Sequence, residues 1–178
     1  MKGGRKIHYE AGGNMKKNAG FAGFFSLVFL FFGVVQLCGQ TPAVIEKTSG
    51  QIIGDACKSA VSNKRHVLLK FSAEWCPWCV DMKKIFQEKS IQEALKGFEL
   101  VEFDVGKRVM VGDKKTYEKN YDVMMKYCEK AFIPQLIVLD PEGKVVARLN
   151  PDDYEKKDPE GNDPEKLAKI LLNHSLKP

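Results

Sequence analysis

Cys76 and Cys79 stand three residues apart in the run Trp75-Cys76-Pro77-Trp78-Cys79. Two sulfurs at this spacing could clip a metal, form a structural disulfide, or open and close as a redox centre. A structural zinc site takes four ligands, usually from a second Cys or His pair. Here Cys57 and Cys128 are isolated, and His8, His66 and His174 show no ligand spacing. The expected metal set is therefore none. A bridge across a three-residue offset closes a very small ring, which adds little global stability and suits cycling. In the redox reading Cys76 sits at the first turn of a helix. Its sulfur faces unsatisfied backbone N–H groups and the positive end of the helix dipole, and both favour thiolate. The thiolate attacks a partner's disulfide, and Cys79, one helical turn on, releases the mixed disulfide. Pro77 fits the first helical turn, where no N–H bond is needed. Trp78 places apolar surface beside the attacking sulfur, and Trp75 packs beneath or beside the site.

These side chains need a strand to end and a helix to begin at the pair. Residues 66–72, HVLLKFS, are a short apolar run bounded by charge, the pattern of a buried strand. Residues 79–89 place Met82, Ile85 and Phe86 on one face, so a helix starts at or inside the motif. Upstream, residues 50–63 repeat apolar positions at helical spacing. Downstream, residues 90–97 predict a further short helix, with Ser90 and Glu93 as a capping box and Gly97 as its stop. Strands are expected at 98–105, 134–140 and 144–150, the last two joined by a tight turn at Pro141-Glu142-Gly143. Tyr117, Tyr121, Met124, Met125 and Cys128 line one side of a helix expected over 113–130. Residues 151–163 read as a charged loop, and a final helix over 163–176 has Asp163 as cap and Pro164 in its first turn. The order α-β-α-β-α-β-β-α implies a mixed α/β sheet of four strands with helices on both faces.

The chain has 178 residues and a formal charge of +5. Residues 21–37 are an uncharged run rich in Phe, Leu and Val, preceded by Lys16 and Lys17. Residues 1–40 therefore read as a signal peptide or a membrane or lipid anchor. Met15 opens a well-proportioned signal by itself and could be the true start. Cys38 could become a lipidated N-terminus, although Leu37 before it fits that poorly. Residues 41–49 read as a linker and 50–178 as one domain. Beyond residue 40 there are 23 basic and 22 acidic residues, so the positive balance belongs to the leader. It gives no support for binding nucleic acid. A membrane would be met only through the N-terminal segment.

The stretch VLLKFSAEWCPWC resembles the strand-loop-helix active site of the thioredoxin superfamily. FIPQLIVLD is similar to the segment that holds that family's cis-proline, here Pro134 preceded by Ile133. The resemblance covers roughly residues 50–175. It is similar to the exported branch that includes the C-terminal domain of the membrane reductase DsbD. It implies a thioredoxin fold, Cys76 as nucleophile, Cys79 as resolving thiol, and Pro134 facing the pair. It also implies protein thiols or disulfides as substrates, an upstream redox partner, and no cofactor beyond the two sulfurs. The place would be the periplasm or the outer face of the cell envelope.

Two departures stand out. Where thioredoxins carry a buried Asp on the first strand, this chain has Lys70. Where they often carry a Lys on the next strand, it has Glu102. The pair is reversed in sign, and Glu102 could take the proton-transfer role beneath Cys79. The segment between Asp104 and Pro134 also looks longer than in a minimal thioredoxin, as an enlarged third helix with a loop that shapes partner choice or as a tolerated insertion. Cys57 and Cys128 could pair, or remain buried free thiols, the reading slightly favoured. The activity expected is a thiol–disulfide oxidoreductase that reduces envelope disulfides. The alternatives are an oxidase or isomerase and, from another class, a chaperone or copper carrier that binds through its thiols.

Overall fold

The run His66–Ser72 forms strand β1, and its five central residues from Val67 to Phe71 are all buried. A strand covered on both faces must be central. The computed structural model describes residues 47–157 and 159–176. The expected leader, Met15 and Cys38 lie outside the described residues.

Along the chain come α1 (Ser49–Asn63), β1, α2 (Pro77–Ile85), α3 (Lys89–Leu95), β2 (Phe98–Asp104), β3 (Arg108–Val111) and β4 (Lys114–Tyr117). Then follow α4 (Tyr121–Tyr127), β5 (Gln135–Leu139), β6 (Val145–Leu149), β7 (Glu155–Lys157), β8 (Glu160–Asn162) and α5 (Pro164–His174). The main sheet has the order β2-β1-β5-β6, with β1 parallel to β2 and antiparallel to β5. It is the mixed four-stranded sheet expected. Among the described residues β3 pairs only with β4, and β7 only with β8.

Alternation along β1 divides the core. Val67, Leu69 and Phe71 pack with Ile53 and Ala60 of α1 and Met124 and Tyr127 of α4. Leu68 faces the other way, into a cluster with Met82 and Phe86 of the α2 segment, Ile91 of α3 and Leu167 of α5. Lys70 shares the parity of Leu68, so strand geometry sends its side chain under α2.

Local capping explains the ends. Thr48 and Gln51 form a capping box at α1. The Asp163 carboxylate accepts from the Glu165 and Lys166 amides, with Pro164 opening α5 as expected. Gly97 permits a close approach: a Cβ there would stand 2.6 Å from the Ser175 Cβ.

Three expectations need correction. The helix predicted over 113–130 is instead the β3–β4 hairpin followed by the short α4. Gly112 (φ +60°) turns the hairpin, and Asn120 (φ +52°) separates it from the helix. The capping box at Ser90 and Glu93 is absent, because α3 starts one residue earlier and its cap is Glu88, without a side-chain bond. The loop at 151–163 contains a 3₁₀ turn, Pro151–Asp153, and the β7–β8 hairpin.

Candidate active site

α2 begins at Pro77, and Cys76 is its N-cap in extended conformation. The Cys79 amide donates to Cys76 Sγ at 3.4 Å, and Cys76 Sγ donates to the Ile133 carbonyl at 3.7 Å. The Ile133–Pro134 bond is cis. The structure thus brings Cys76, Cys79, Pro77, Ile133 and Pro134 to one place, between the N-terminus of α2 and the start of β5. Both cysteines are buried free thiols, so this is the dithiol form.

Burial, followed by the hydrogen bond with Cys76, pushes the Cys79 thiol up to about 12, and the Lys70 ammonium pulls the other way. Cys79 therefore holds its proton at neutral pH. A group that removes that proton would govern how fast it can attack.

Lys70 is 4% exposed, and its ammonium stands 4.6 Å above the Phe86 ring. It meets Glu102 at 2.5 Å, as the parallel register of β1 and β2 requires. The Glu102 side chain is 53% exposed. The buried ammonium is therefore paired with a carboxylate that remains open to solvent. Lys70, Glu102 and Cys79 line one cleft of about 540 Å³ beside α2.

The two tryptophans take different partners. Trp75 is 45% exposed; its indole N–H donates to the Gly106 carbonyl at 2.7 Å, and the Arg108 guanidinium lies 5.3 Å above its ring. Trp78 is half-buried, and its carbonyl accepts from Asn162 Nδ2 at 3.3 Å. Asn162 also gives its backbone N–H and its Nδ2 to one oxygen of Asp81, each at 2.7 Å. Gly161 (φ +156°) lets the backbone pass Asp81, where a Cβ would stand 3.2 Å from the carboxylate. Sequence reasoning missed Asp81, Asn162, Gly161 and Arg108. The Gly161-Asn162 pair was the available signal, but its charged setting read as loop.

Tyr154 was also missed. It is fully buried in the cluster beneath α2, and its hydroxyl finds no protein partner among the described residues. Burial raises its pKa well above the usual phenol value, with Glu155, Asp153 and Cys79 adding to the effect. Cys57 and Cys128 are not joined to one another. Burial lifts Cys128 to about 11, and burial with the nearby Asp140 and Glu142 raises Cys57.

Residues 53–156 match the family model described as a thioredoxin-like domain. Nucleoredoxin from Mus musculus is 30% identical over 109 residues, which is 53% of this chain and 25% of that protein. The chain thus spans about a quarter of the length of such relatives. Among solved structures, a disulphide isomerase from Xylella fastidiosa Temecula1 superposes with TM-score 0.56 at 18% identity, covering 74% of this chain and 95% of that one. The oxidised DsbD C-terminal domain of Neisseria meningitidis gives 0.50 at 14% identity, covering 71% and 96%. At such identities the likeness establishes the fold.

Proposed function

This chain belongs to the thioredoxin-like domain family, and we propose that it works as an exported thiol–disulfide oxidoreductase that reduces disulfides in envelope proteins. The observation that carries the reading is the Cys76 sulfur. It caps α2, accepts the Cys79 amide, and faces the Ile133 carbonyl beside the cis-proline. The apolar run at 21–37 supports export, with residues 1–40 as signal or anchor.

In the proposed cycle the Cys76 thiolate attacks one sulfur of a substrate disulfide. A Cys76–substrate S–S bond forms, the substrate bond breaks, and the first substrate thiolate leaves and takes a proton from solvent. Cys79 then gives its proton through the shared cleft to Glu102, and its thiolate attacks the Cys76 sulfur. The second substrate thiolate leaves and takes a proton from solvent, and Glu102 returns the Cys79 proton to solvent. Two electrons have passed to the substrate, and Cys76 and Cys79 are joined. A dithiol partner protein restores them by the same exchange in reverse. The two sulfurs carry the electrons, so the cycle calls for no metal or organic cofactor. Lys70 holds the Glu102 carboxylate in place.

The test is equilibration in glutathione buffers with trapped thiols counted by mass. A potential near the reducing end of the span of about −270 to −120 mV fits a reductase, and one near the oxidising end fits an oxidase or isomerase. Cys79→Ser should stall as a mixed disulfide, and Cys76→Ser should not react. Glu102→Gln should slow the second step several-fold at neutral pH. Its deficit should shrink as pH rises towards the Cys79 value of about 12, where the proton leaves unaided. If the pair fails to cycle, the reading is wrong and thiol-dependent binding replaces it.

A further inference from the structure

The β3–β4 hairpin is not used by the exchange chemistry, yet its root touches the site. Thr116 and Tyr117 are buried, Gly106 accepts the Trp75 indole, and Arg108 covers the Trp75 ring. Its tip is open: Met110 is 58% exposed and Val111 66%. Large apolar side chains on a projecting tip contribute nothing to the core.

The register orders this surface. Met110 lies opposite Lys115, and Arg108 opposite Tyr117. Residues two apart on a strand, and cross-strand partners, share a face. Arg108, Met110 and Lys115 therefore lie on one face, and that face starts at Trp75, the neighbour of Cys76. Apolar and cationic groups alternate along it.

Charge points to the occupant. Residues 107–118 hold four cations, Lys107, Arg108, Lys114 and Lys115, against Asp113 and Glu118. Among the described residues none of the four cations is in an ion pair. Two residues of strand span about 7 Å, which is within the screening length of about 8 Å at physiological salt. A carboxylate laid on this face would feel two cations at once. Among the described residues neither β3 nor β4 has a second strand partner, which leaves an edge for an extended segment.

We propose that the Trp75–Arg108–Met110–Lys115 face docks an extended polypeptide that carries carboxylates next to the cysteine it presents to Cys76. This rests on the oxidoreductase reading and names its substrate class. Met110 supplies adaptable apolar contact, and the cations set the preference for acidic neighbours.

The experiment uses the full chain, three peptides and dithiothreitol, whose two thiols are oxidised as they restore Cys76 and Cys79 after each turnover. Each peptide has one cysteine in mixed disulfide with glutathione, flanked by Glu, Gln or Lys. At low salt kcat/KM should fall in the order Glu, Gln, Lys by about tenfold from first to last, mostly through KM. The spread should narrow in high salt. Met110→Ser combined with Lys115→Glu should abolish the order, whereas Lys169→Glu at an exposed position of α5 should keep it. A flat series in the wild-type chain, or an equal loss in Lys169→Glu, overturns the proposal. A flat series together with hairpin-dependent binding to phosphatidylglycerol vesicles overturns it in favour of a lipid surface. Wild-type turnover of 2-hydroxyethyl disulfide, too small to span the hairpin, is read separately. Its absence defeats the oxidoreductase reading itself.

Discussion

Two short hairpins stand at the active-site end of the molecule, and they use their polar atoms in opposite ways. β7–β8 turns inward. Asn162 is 2% exposed and gives three hydrogen bonds to Asp81 and the Trp78 carbonyl, so this hairpin clasps the helix that carries both cysteines. β3–β4 is fixed at its root by Trp75 and Tyr117 and leaves Met110, Val111 and its lysines to solvent. The difference teaches that a hairpin's role follows from where its hydrogen bonds close. Closed on α2, it sets the frame of the reaction. Left open, it is available to a partner.

The largest expected effect loosens the clasp. Asn162→Ala removes both Nδ2 bonds, to the partly buried Asp81 carboxylate and to the Trp78 carbonyl, while the backbone N–H bond to Asp81 remains, and should cost about 3 kcal/mol in urea unfolding. A loss below about 1 kcal/mol would erase the contrast between the hairpins. Next come paired glycine changes. Gly161→Ala meets Asp81 in a backbone region suited to Gly, and should cost about 2 kcal/mol. Gly112→Ala has open space around it and should cost about 1 kcal/mol from backbone strain alone. Equal costs would mean that the inward packing of β8 contributes nothing. Smaller, and opposite in sign, is Tyr154→Phe just before β7. It removes a buried hydroxyl without a protein partner and should gain about 1 kcal/mol, seen as a higher Tm. The smallest is Val111→Ser at the open tip, which should stay within about 0.5 kcal/mol. A larger loss there would show that the tip is packed in solution.

The main sheet and the two sulfurs could be read from the sequence, because each rests on local signals. An apolar run ending at Ser72, a Pro in a first turn, and Asp163 before Pro164 each decide their structure within a few residues. The hairpins could not. Tyr121, Met124 and Cys128 are at helical spacing because they belong to α4 and its cap, and Tyr117 falls into the same spacing by coincidence. Tyr117 is a strand residue buried against the same cluster as Met124 of α4, so one apolar face is shared by two elements. The contrary signal is Gly112-Asp113, a turn pair between two short runs. For β7–β8, a charged, Gly-containing stretch looks like loop until Asp81, some eighty residues earlier, supplies the acceptor. Lys70 and Glu102 were legible as a pair through the resemblance, which put them at the positions of a facing pair on adjacent strands, and the register of β1 and β2 bears this out. Their unequal exposure depends on how α2 covers β1.

Each hairpin also bonds a different tryptophan, one through its indole and one through its carbonyl, and the chain has only two. Trp75 is bonded to the root of the open hairpin, and the Trp78 carbonyl is held by the clasped one. Fluorescence is thus divided by region without any attached dye. With Trp78 replaced by Phe, the emission colour and quenching follow the open arm as a peptide arrives. With Trp75 replaced, the remaining light follows the grip on the helix as the sulfurs join and part.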